Sequence, residues 1–178
     1  FEPVSVPHLL QSDSVDDGAV IVSMMSFEED TCLCDRMAIA EIEPDGTGIS
    51  NLTQLNIRGL PELRPGANGP MMPADPALLV VDGDLPLLVF TVRPAAVETA
   101  CLAVAIGERG TAMDESFDMV PDLLWCTDED GPAAGEDYMD PAALWEPSGN
   151  GRGGTLVILQ TSMNSLLTQD VVNYFAMV

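Results

Sequence analysis

Short apolar segments separated by turn-forming residues are the feature that most constrains the fold of this chain. We predict strands over residues 19–25, 36–43, 49–55, 77–81, 85–92, 100–106, 123–127, 155–161 and 171–178. Short strands with turn signals about every ten residues are typical of all-β proteins. Helical periodicity is weak, and only residues 94–100 and 162–169 leave room for a helical turn. The sequence therefore predicts an all-β fold.

The clearest hairpin signal is the Asp82-Gly83 pair, which lies between two apolar segments. An Asp-Gly pair in this setting favours a tight primed turn. Pro86 follows in the second segment, and because proline cannot donate to a β-ladder, it indicates a strand that is not central. The proline- and glycine-rich residues 56–76 and the acidic residues 128–140 are expected to form loops.

The length and apolar content of the chain suit one folded domain. Its 178 residues are 47% apolar, which is enough for a sizeable core and argues against a disordered chain. Residues 1–17 contain two prolines and end in an acidic cluster, so we expect an extended N-terminal arm. Residues 18–178 are expected to form a single all-β domain.

The charge of the chain excludes two classes of partner. The net charge is −23, from 29 acidic and six basic residues, and all six basic residues are arginine. Binding to nucleic acid or to an anionic membrane requires a basic patch, so neither partner is expected. A solvated acidic surface, adaptation to salt and calcium binding all remain open as explanations of the charge.

Four cysteines and a single histidine point to disulfides rather than to a zinc site. Cys32 and Cys34 are two residues apart and would share one face of a strand. We therefore predict two disulfides that join them to Cys101 and Cys126, in a pairing that the spacing does not assign. Disulfides favour an oxidising compartment, so an extracellular or periplasmic location is expected.

Two segments read as parts of one repeated β-module. The first is DGTGISNLT (residues 45–53), and the second is DPAALWEPSG (residues 140–149), which continues into the apolar TLVIL (residues 155–159). Together they resemble the repeat of TolB-like β-propellers, in which Asp-Gly-Thr-Gly and a Leu-Thr pair precede Asp-Pro-x-Trp-Ser-Pro-Asp-Gly. The resemblance implies propeller-like blades of antiparallel strands within a longer propeller. If the resemblance is only local, an open β-sandwich is the alternative.

The sequence contains no recognisable catalytic constellation. His8 is the single histidine, and no nucleophile motif accompanies it. Carboxylates are so numerous that no general acid–base pair can be selected from spacing. We therefore expect a protein that is not an enzyme.

The acidic segment between residues 128 and 140 is the best candidate for a metal site. Its candidate ligands are Asp128, Asp130, Glu136, Asp137 and Asp140. Calcium takes six to eight oxygen ligands, which closely spaced carboxylates in a glycine-containing loop can supply. The spacing does not match an EF-hand, and a solvated acidic loop without a metal is the alternative. Calcium is the one cofactor that the sequence suggests.

These observations favour a binding role over a catalytic one. We expect a non-catalytic extracytoplasmic β-protein that acts as a protein-binding or scaffolding module. The alternative is a structural subunit of an extracellular filament or surface layer, in which residues 171–178 would pair with an open sheet edge of a neighbouring subunit. In both cases the partners are proteins or further copies of the chain.

Overall fold

The computed structural model describes residues 8–11, 19–25, 36–43, 45–66, 69–81, 84–109, 116–127, 137–148, 153–163 and 169–177. These ranges contain strands and no helix. The strands are β1 (His8–Gln11), β2 (Ala19–Met25), β3 (Arg36–Ile42), β4 (Ile49–Gln54), β5 (Asn56–Arg58), β6 (Pro65–Gly66), β7 (Gly69–Pro70), β8 (Ala74–Val81), β9 (Leu85–Val92), β10 (Cys101–Ile106), β11 (Ser116–Trp125), β12 (Asp137–Pro147), β13 (Gly154–Met163) and β14 (Gln169–Met177).

The strands form three successive antiparallel meanders. The first sheet has the order β1-β2-β3-β4, and the third has the order β12-β13-β14. The second sheet is the meander β8-β9-β10-β11, to which β5 adds in parallel beside β11. A small sheet of β6 and β7 completes the set. The predicted all-β fold is therefore confirmed, and the second sheet is mixed because β5 is parallel to β11.

The second sheet lies between the other two. Its strand β8 packs against β1 and β2 on one side and against β12 on the other. Alternate residues of β8, β9 and β10 contact opposite neighbours, as strand geometry requires. Leu78, Leu88 and Phe90 belong to a core cluster shared with the first sheet. Leu79, Val89 and Leu102 belong to a cluster shared with the third sheet.

This arrangement explains why β9 and β10, in the second sheet, are almost continuously apolar rather than alternating. Strands covered on both faces have no solvent-facing positions, so both sets of alternate residues must be apolar. From Leu87 to Val92 every residue of β9 is buried. The largest of these side chains, Phe90, is fully buried. The second sheet is thus the centre of the core.

Residues 45–53 form the hairpin turn between β3 and β4 and the strand that follows it. Gly46 has a positive φ of 71°, which glycine adopts without strain. The Asp45 carboxylate accepts hydrogen bonds from the Thr47 backbone N–H at 2.9 Å and from its hydroxyl at 2.7 Å. The hydroxyl bond, followed by the backbone bond, lowers the pKa of Asp45. The Asp45–Thr47 bonds therefore add to the backbone bonds between Glu43 and Gly48 and between Gly46 and Glu43 that close this turn.

One disulfide joins Cys101 to Cys126, and this corrects the predicted pairing. The register pairs Leu102 with Trp125 in the antiparallel strands β10 and β11. The two cysteines are the next opposing residues, with Cα atoms 4.3 Å apart. Adjacent strands thus bring together two cysteines that we had expected to bind Cys32 and Cys34. The latter two lie outside the described residues.

The expectation that Pro86 keeps its strand from the centre of a sheet is wrong. β9 pairs with β8 on one side and with β10 on the other. The carbonyl of Pro86 accepts the Gly107 N–H at 2.9 Å, beyond the last residue of β10. The nitrogen and the carbonyl of a strand residue point to the same side. The nitrogen of Pro86, which has no hydrogen to donate, therefore faces the chain beyond the last residue of β10.

Several predicted boundaries also change. Residues 94–100 form turns and bends instead of a helical turn, and β11 begins at Ser116 rather than at residue 123. The expected acidic loop ends earlier, because β12 begins at Asp137. Within the predicted N-terminal arm, β1 pairs with β2 and so belongs to the first sheet. No helix within the described ranges has the length and apolar character that crossing a membrane requires.

Candidate functional site

Two aspartates occupy equivalent positions at the start of the second and third sheets. Asp75 lies in β8, where the pairing with β9 shifts by one residue between Ala74 and Ala77. Asp140 lies in β12, where the pairing with β13 shifts by one residue between Met139 and Ala142. Each aspartate therefore sits in a β-bulge of the strand that opens its meander.

The backbone is left-handed at both bulges. The φ angles of Asp75 and Asp140 are 51° and 48°. Aspartate is one of the few residues other than glycine that visit this region at low cost. Proline follows in each case, at Pro76 and Pro141. The sequence Asp-Pro-Ala occurs at both places. This repeated triplet is the sequence signal that relates Asp75 to Asp140.

The two carboxylates interact across the junction of β8 and β12. Partial burial is the main cause that raises the pKa of Asp140, and the negative charge of Asp75 adds to it. The Thr91 hydroxyl donates a hydrogen bond to the Asp75 carboxylate at 3.1 Å. Asp140 therefore takes up a proton more readily than an isolated aspartate does.

Asp137 has a different role at the beginning of β12. Its carboxylate lies 2.9 Å from the Arg93 guanidinium and accepts the Ala100 backbone N–H at 2.6 Å. The Tyr138 N–H in turn donates to the Ala100 carbonyl at 3.1 Å. Charge-assisted bonds of this kind are among the stronger ones in proteins. Asp137 therefore links the start of the third sheet to residues of the second through an ion pair and a hydrogen bond.

The structure describes only two of the five residues of the predicted calcium site. Asp137 and Asp140 are described, whereas Asp128, Asp130 and Glu136 lie outside the described residues. In the described part of the chain, no group of three or more potential ligands is placed to hold a metal ion. Asp137 already binds Arg93 and a backbone N–H. Calcium binding in this segment stays a prediction.

A small pocket lies at the end of the first sheet. Its volume is about 150 Å³, and its lining includes Met37, Leu55, Ile57 and Leu60 together with the polar Gln54 and Asn56. Met72 stands partly exposed beside it. The pocket is below the usual volume of sites that enclose small-molecule ligands. No group in its lining points to a particular chemistry.

The outward face of the third sheet exposes large apolar side chains in the part of the chain that the structure describes. Its described positions alternate with residues that pack inward: Ala142, Leu144 and Glu146 on β12, and Thr155, Val157 and Leu159 on β13. Leu144 is 58% exposed and Leu159 is 45% exposed. We call these six residues the outer face. It is apolar apart from Thr155 and Glu146.

The inward side of the same sheet is packed normally. Leu156 and Ile158 are buried in the cluster shared with the second sheet, and Trp145 packs against that cluster. The Trp145 ring lies so close to Gly154 that a Cβ atom there would stand 2.6 Å from the ring and 2.4 Å from the Glu146 carbonyl oxygen. Gly154 therefore permits the close approach of β13 to Trp145.

No protein-family model and no curated protein matches the chain. Among solved structures, it is similar to a chain described as endo-1,4-beta-xylanase from Bacteroides thetaiotaomicron VPI-5482. The TM-score is 0.54 at 14% sequence identity, and the match covers 96% of this chain and 53% of the other. The chain thus spans about half the length of the structure it matches. At this identity, the similarity concerns the β-fold alone.

Proposed function

We propose that this chain is a non-catalytic extracytoplasmic module that binds or organises other proteins through the outer face of its third sheet. The observation that carries the proposal is the exposure of Leu144 and Leu159, which lie diagonally across the neighbouring strands β12 and β13 on that face. The pairing of Leu144 with Val157 and of Ala142 with Leu159 makes the apolar surface continuous across two strands. An exposed apolar sheet surface of this kind is typical of an interaction site.

The charge distribution supports the same conclusion. The chain carries 29 acidic residues, yet Glu146 is the single carboxylate among the six residues of the outer face. The buried centre of a protein interface is depleted in charged residues, because desolvating a charge costs free energy. A surface that stays almost uncharged on a chain of net charge −23 is therefore suited to contact with a partner.

The disulfide between Cys101 and Cys126 supports the extracytoplasmic part of the proposal. Disulfides persist outside the cytosol, where thiols are not kept reduced. The cross-link is compatible with an extracellular or periplasmic location. The three successive meanders also agree with the resemblance to TolB-like repeats, in which each repeat forms one blade. We include membership of a longer propeller in the proposal on that ground.

Site-specific photocrosslinking in the native host tests the proposal. A photoreactive amino acid placed at Leu144 should give a crosslinked protein partner that mass spectrometry can identify. The matched control is the same amino acid at Ile49, which is 47% exposed but lies on β4, away from the outer face. Crosslinks at position 144 that are absent at position 49 support binding through the outer face. Equal yields at both positions, or none at 144, would contradict it.

A second candidate function is that of a filament or surface-layer subunit. The observation that favours it is the position of β14 at the end of the third sheet, where only β13 pairs with it within the described chain. A free edge can pair with a strand of a neighbouring subunit. Electron microscopy of the purified chain with and without calcium tests this. Ordered filaments or sheets support it, and discrete particles at every concentration and salt condition reject it.

A further inference from the structure

Asn51 lies on β4 at the surface of the first sheet and begins the triplet Asn51-Leu52-Thr53. Asparagine followed two residues later by serine or threonine, with no proline between them, is the acceptor sequence for N-linked glycans in secreted proteins. The chain has six asparagines, and Asn51 alone has serine or threonine at that spacing. We propose that Asn51 carries an N-linked glycan. This site goes beyond the proposed function and rests on its extracytoplasmic part alone.

A β-bulge holds Asn51 at the surface. The pairing of β3 with β4 joins Ile39 to Thr53 and Glu41 to Ser50, so two residues of β4 face one residue of β3 between these pairs. Asn51 is the first of the two, and its φ angle is 52°. Asparagine is one of the few residues that adopt this left-handed backbone at low cost. Asn51 is exposed, as an acceptor residue must be.

The two groups that the acceptor sequence requires are neighbours in the structure. The Asn51 amide nitrogen donates a hydrogen bond to the Glu41 carboxylate at 2.7 Å, in an exposed position. An exposed hydrogen bond exchanges readily with water, so it leaves the nitrogen available for reaction. The Thr53 hydroxyl donates to the Asn51 carbonyl at 3.3 Å. The hydroxyl is therefore held beside the acceptor residue.

The transfer needs a donor of one chemical class, a lipid-linked oligosaccharide diphosphate, and an oligosaccharyl transferase. The Asn51 amide nitrogen forms a bond to the anomeric carbon of the first sugar. The bond between that carbon and the diphosphate oxygen breaks, and its electron pair leaves with the lipid diphosphate. The amide gives up one proton to a base of the transferase. Nothing is oxidised or reduced, and the product is a sugar–amide bond on β4.

The position of Asn51 gives the glycan a further effect on the first sheet. β4 is the last strand in the order of that sheet, and within the described chain only β3 pairs with it. The N–H and carbonyl groups of an open edge can pair with strands of other molecules. A glycan is bulky and strongly hydrated. Attached at Asn51, it shields this edge from such pairing.

Mass spectrometry of the protein purified from its native host tests the proposal. Trypsin cleaves after arginine, so Asn51 and Asn56 both fall in the peptide of residues 37–58. We expect this peptide to be heavier by whole sugar residues, and fragmentation to place the sugars on Asn51. Asn56 is the internal control, because it is exposed but lacks the acceptor sequence. A peptide without sugar, or with sugar on Asn56 instead, would overturn the proposal.

Two variants of Thr53 test the part of the hydroxyl. Thr53→Val keeps the shape of the side chain and removes the hydroxyl, so it should lose the glycan. Thr53→Ser keeps the hydroxyl and is the matched control, which should retain the glycan. Circular dichroism reports whether each variant is folded. A glycan that persists on Asn51 in Thr53→Val, or one that is lost from a folded Thr53→Ser, contradicts the proposal.

Sedimentation velocity of the same two variants tests the shielding of the edge. Thr53→Val should associate more strongly than the glycosylated Thr53→Ser, because its edge strand is uncovered. Equal association of the two would reject the shielding effect, whereas the glycan itself is judged by its mass.

The outcomes also separate this proposal from the proposed function. Fractionation of the host cells shows where the chain is located. If the chain is outside the cytosol and Asn51 is bare, the glycan is excluded and the proposed function stands. If the chain is in the cytosol and Asn51 is bare, both proposals fail. Crosslinking from Leu144 reports on the third sheet and is independent of either result at Asn51.

Discussion

Asp75 and Asp140 have the same left-handed backbone conformation at equivalent bulges of two different sheets, and each is followed by proline. Their strands, β8 and β12, open the second and third meanders and pack against each other. The same short sequence thus starts two neighbouring sheets in the same way. The two carboxylates are held close enough to affect one another.

The charge of Asp140 should cost stability at neutral pH. A carboxyl whose pKa is raised in the folded state is favourable for folding below its ordinary pKa of 3.8, and its contribution is lost as the pH rises through the raised value. Asp140→Asn removes this charge and keeps a residue that tolerates a left-handed backbone. We expect a gain on the order of a few tenths of a kcal/mol at neutral pH, because the site is largely solvent-screened.

Urea unfolding of the Asp140→Asn variant at neutral pH and below pH 3.8 measures this gain. The difference in stability between the variant and the unmodified chain should disappear at the lower pH, because the side chain at position 140 is then uncharged in both proteins. Asp75→Asn serves as the reciprocal variant, because it removes the neighbouring charge. A loss of stability at neutral pH in Asp140→Asn would contradict the expected sign.

The contact of Asp137 with Arg93 should contribute measurably to stability. Asp137→Asn weakens a half-buried ion pair and the bond to the Ala100 N–H, so we expect a loss of about 1–3 kcal/mol in the free energy of unfolding. Asp118→Asn is the matched control, because its ion pair with Arg58 is 59% exposed on both sides. Exposed pairs contribute about 0–1 kcal/mol. Equal losses in the two variants, measured by chemical denaturation, would refute this ranking.

Gly154 should not tolerate a side chain. A methyl group there would meet the Glu146 carbonyl oxygen at 2.4 Å and the Trp145 ring at 2.6 Å, so β13 must shift. We expect Gly154→Ala to cost about 1–3 kcal/mol and to alter the near-ultraviolet circular dichroism of tryptophan. Gly48→Ala is the control, because its nearest neighbour is the flexible Glu43 carboxylate. Unchanged stability and tryptophan signal in Gly154→Ala would show that this approach is not tight.

Salt should stabilise the chain, and calcium should stabilise it further if the acidic segment binds metal. With 29 acidic residues, the folded state is destabilised by self-repulsion that dissolved ions screen. We expect a Tm that rises with NaCl and rises more with calcium than with magnesium at equal ionic strength. The double variant Asp128→Asn, Asp130→Asn should remove the excess effect of calcium. Identical responses to calcium and magnesium would rule out a specific site.

Local patterns predicted the most apolar strands, because those strands follow from short apolar segments and turns, but they did not predict β1, β5 or β12. Ala19–Met25 and Leu85–Val92 form β2 and β9 with the predicted bounds. Long-range pairing could not be predicted in the same way. Asn56 in β5 pairs in parallel with Ser116, and the sequence between them contains no sign of that contact. The disulfide pairing depended on the same kind of information, namely which strands are neighbours.

The candidate surfaces show the same limit. The acidic surroundings of Asp140 in the sequence identify it as a candidate. The proximity of Asp75 to it depends on how β8 packs against β12. Leu159 lies in the predicted strand over residues 155–161, and Leu144 lies in the segment 140–149 that resembles a propeller repeat. Their exposure follows from the position of the third sheet, whose inward residues pack against the second sheet while these two leucines face outward. An apolar pattern predicts that a strand can be buried, whereas the order of the sheets decides whether a face is buried within this chain.

The disulfide also closes a covalent ring within the chain. Cys101 and Cys126 are 25 residues apart in sequence, and the ring that they close includes all of β10 and β11. Hydrolysis of any one peptide bond inside the ring leaves the N-terminal and C-terminal parts joined through sulfur. The first and third sheets would therefore remain in one covalent molecule after such a cut, and would separate only when a reductant and a denaturant were both present.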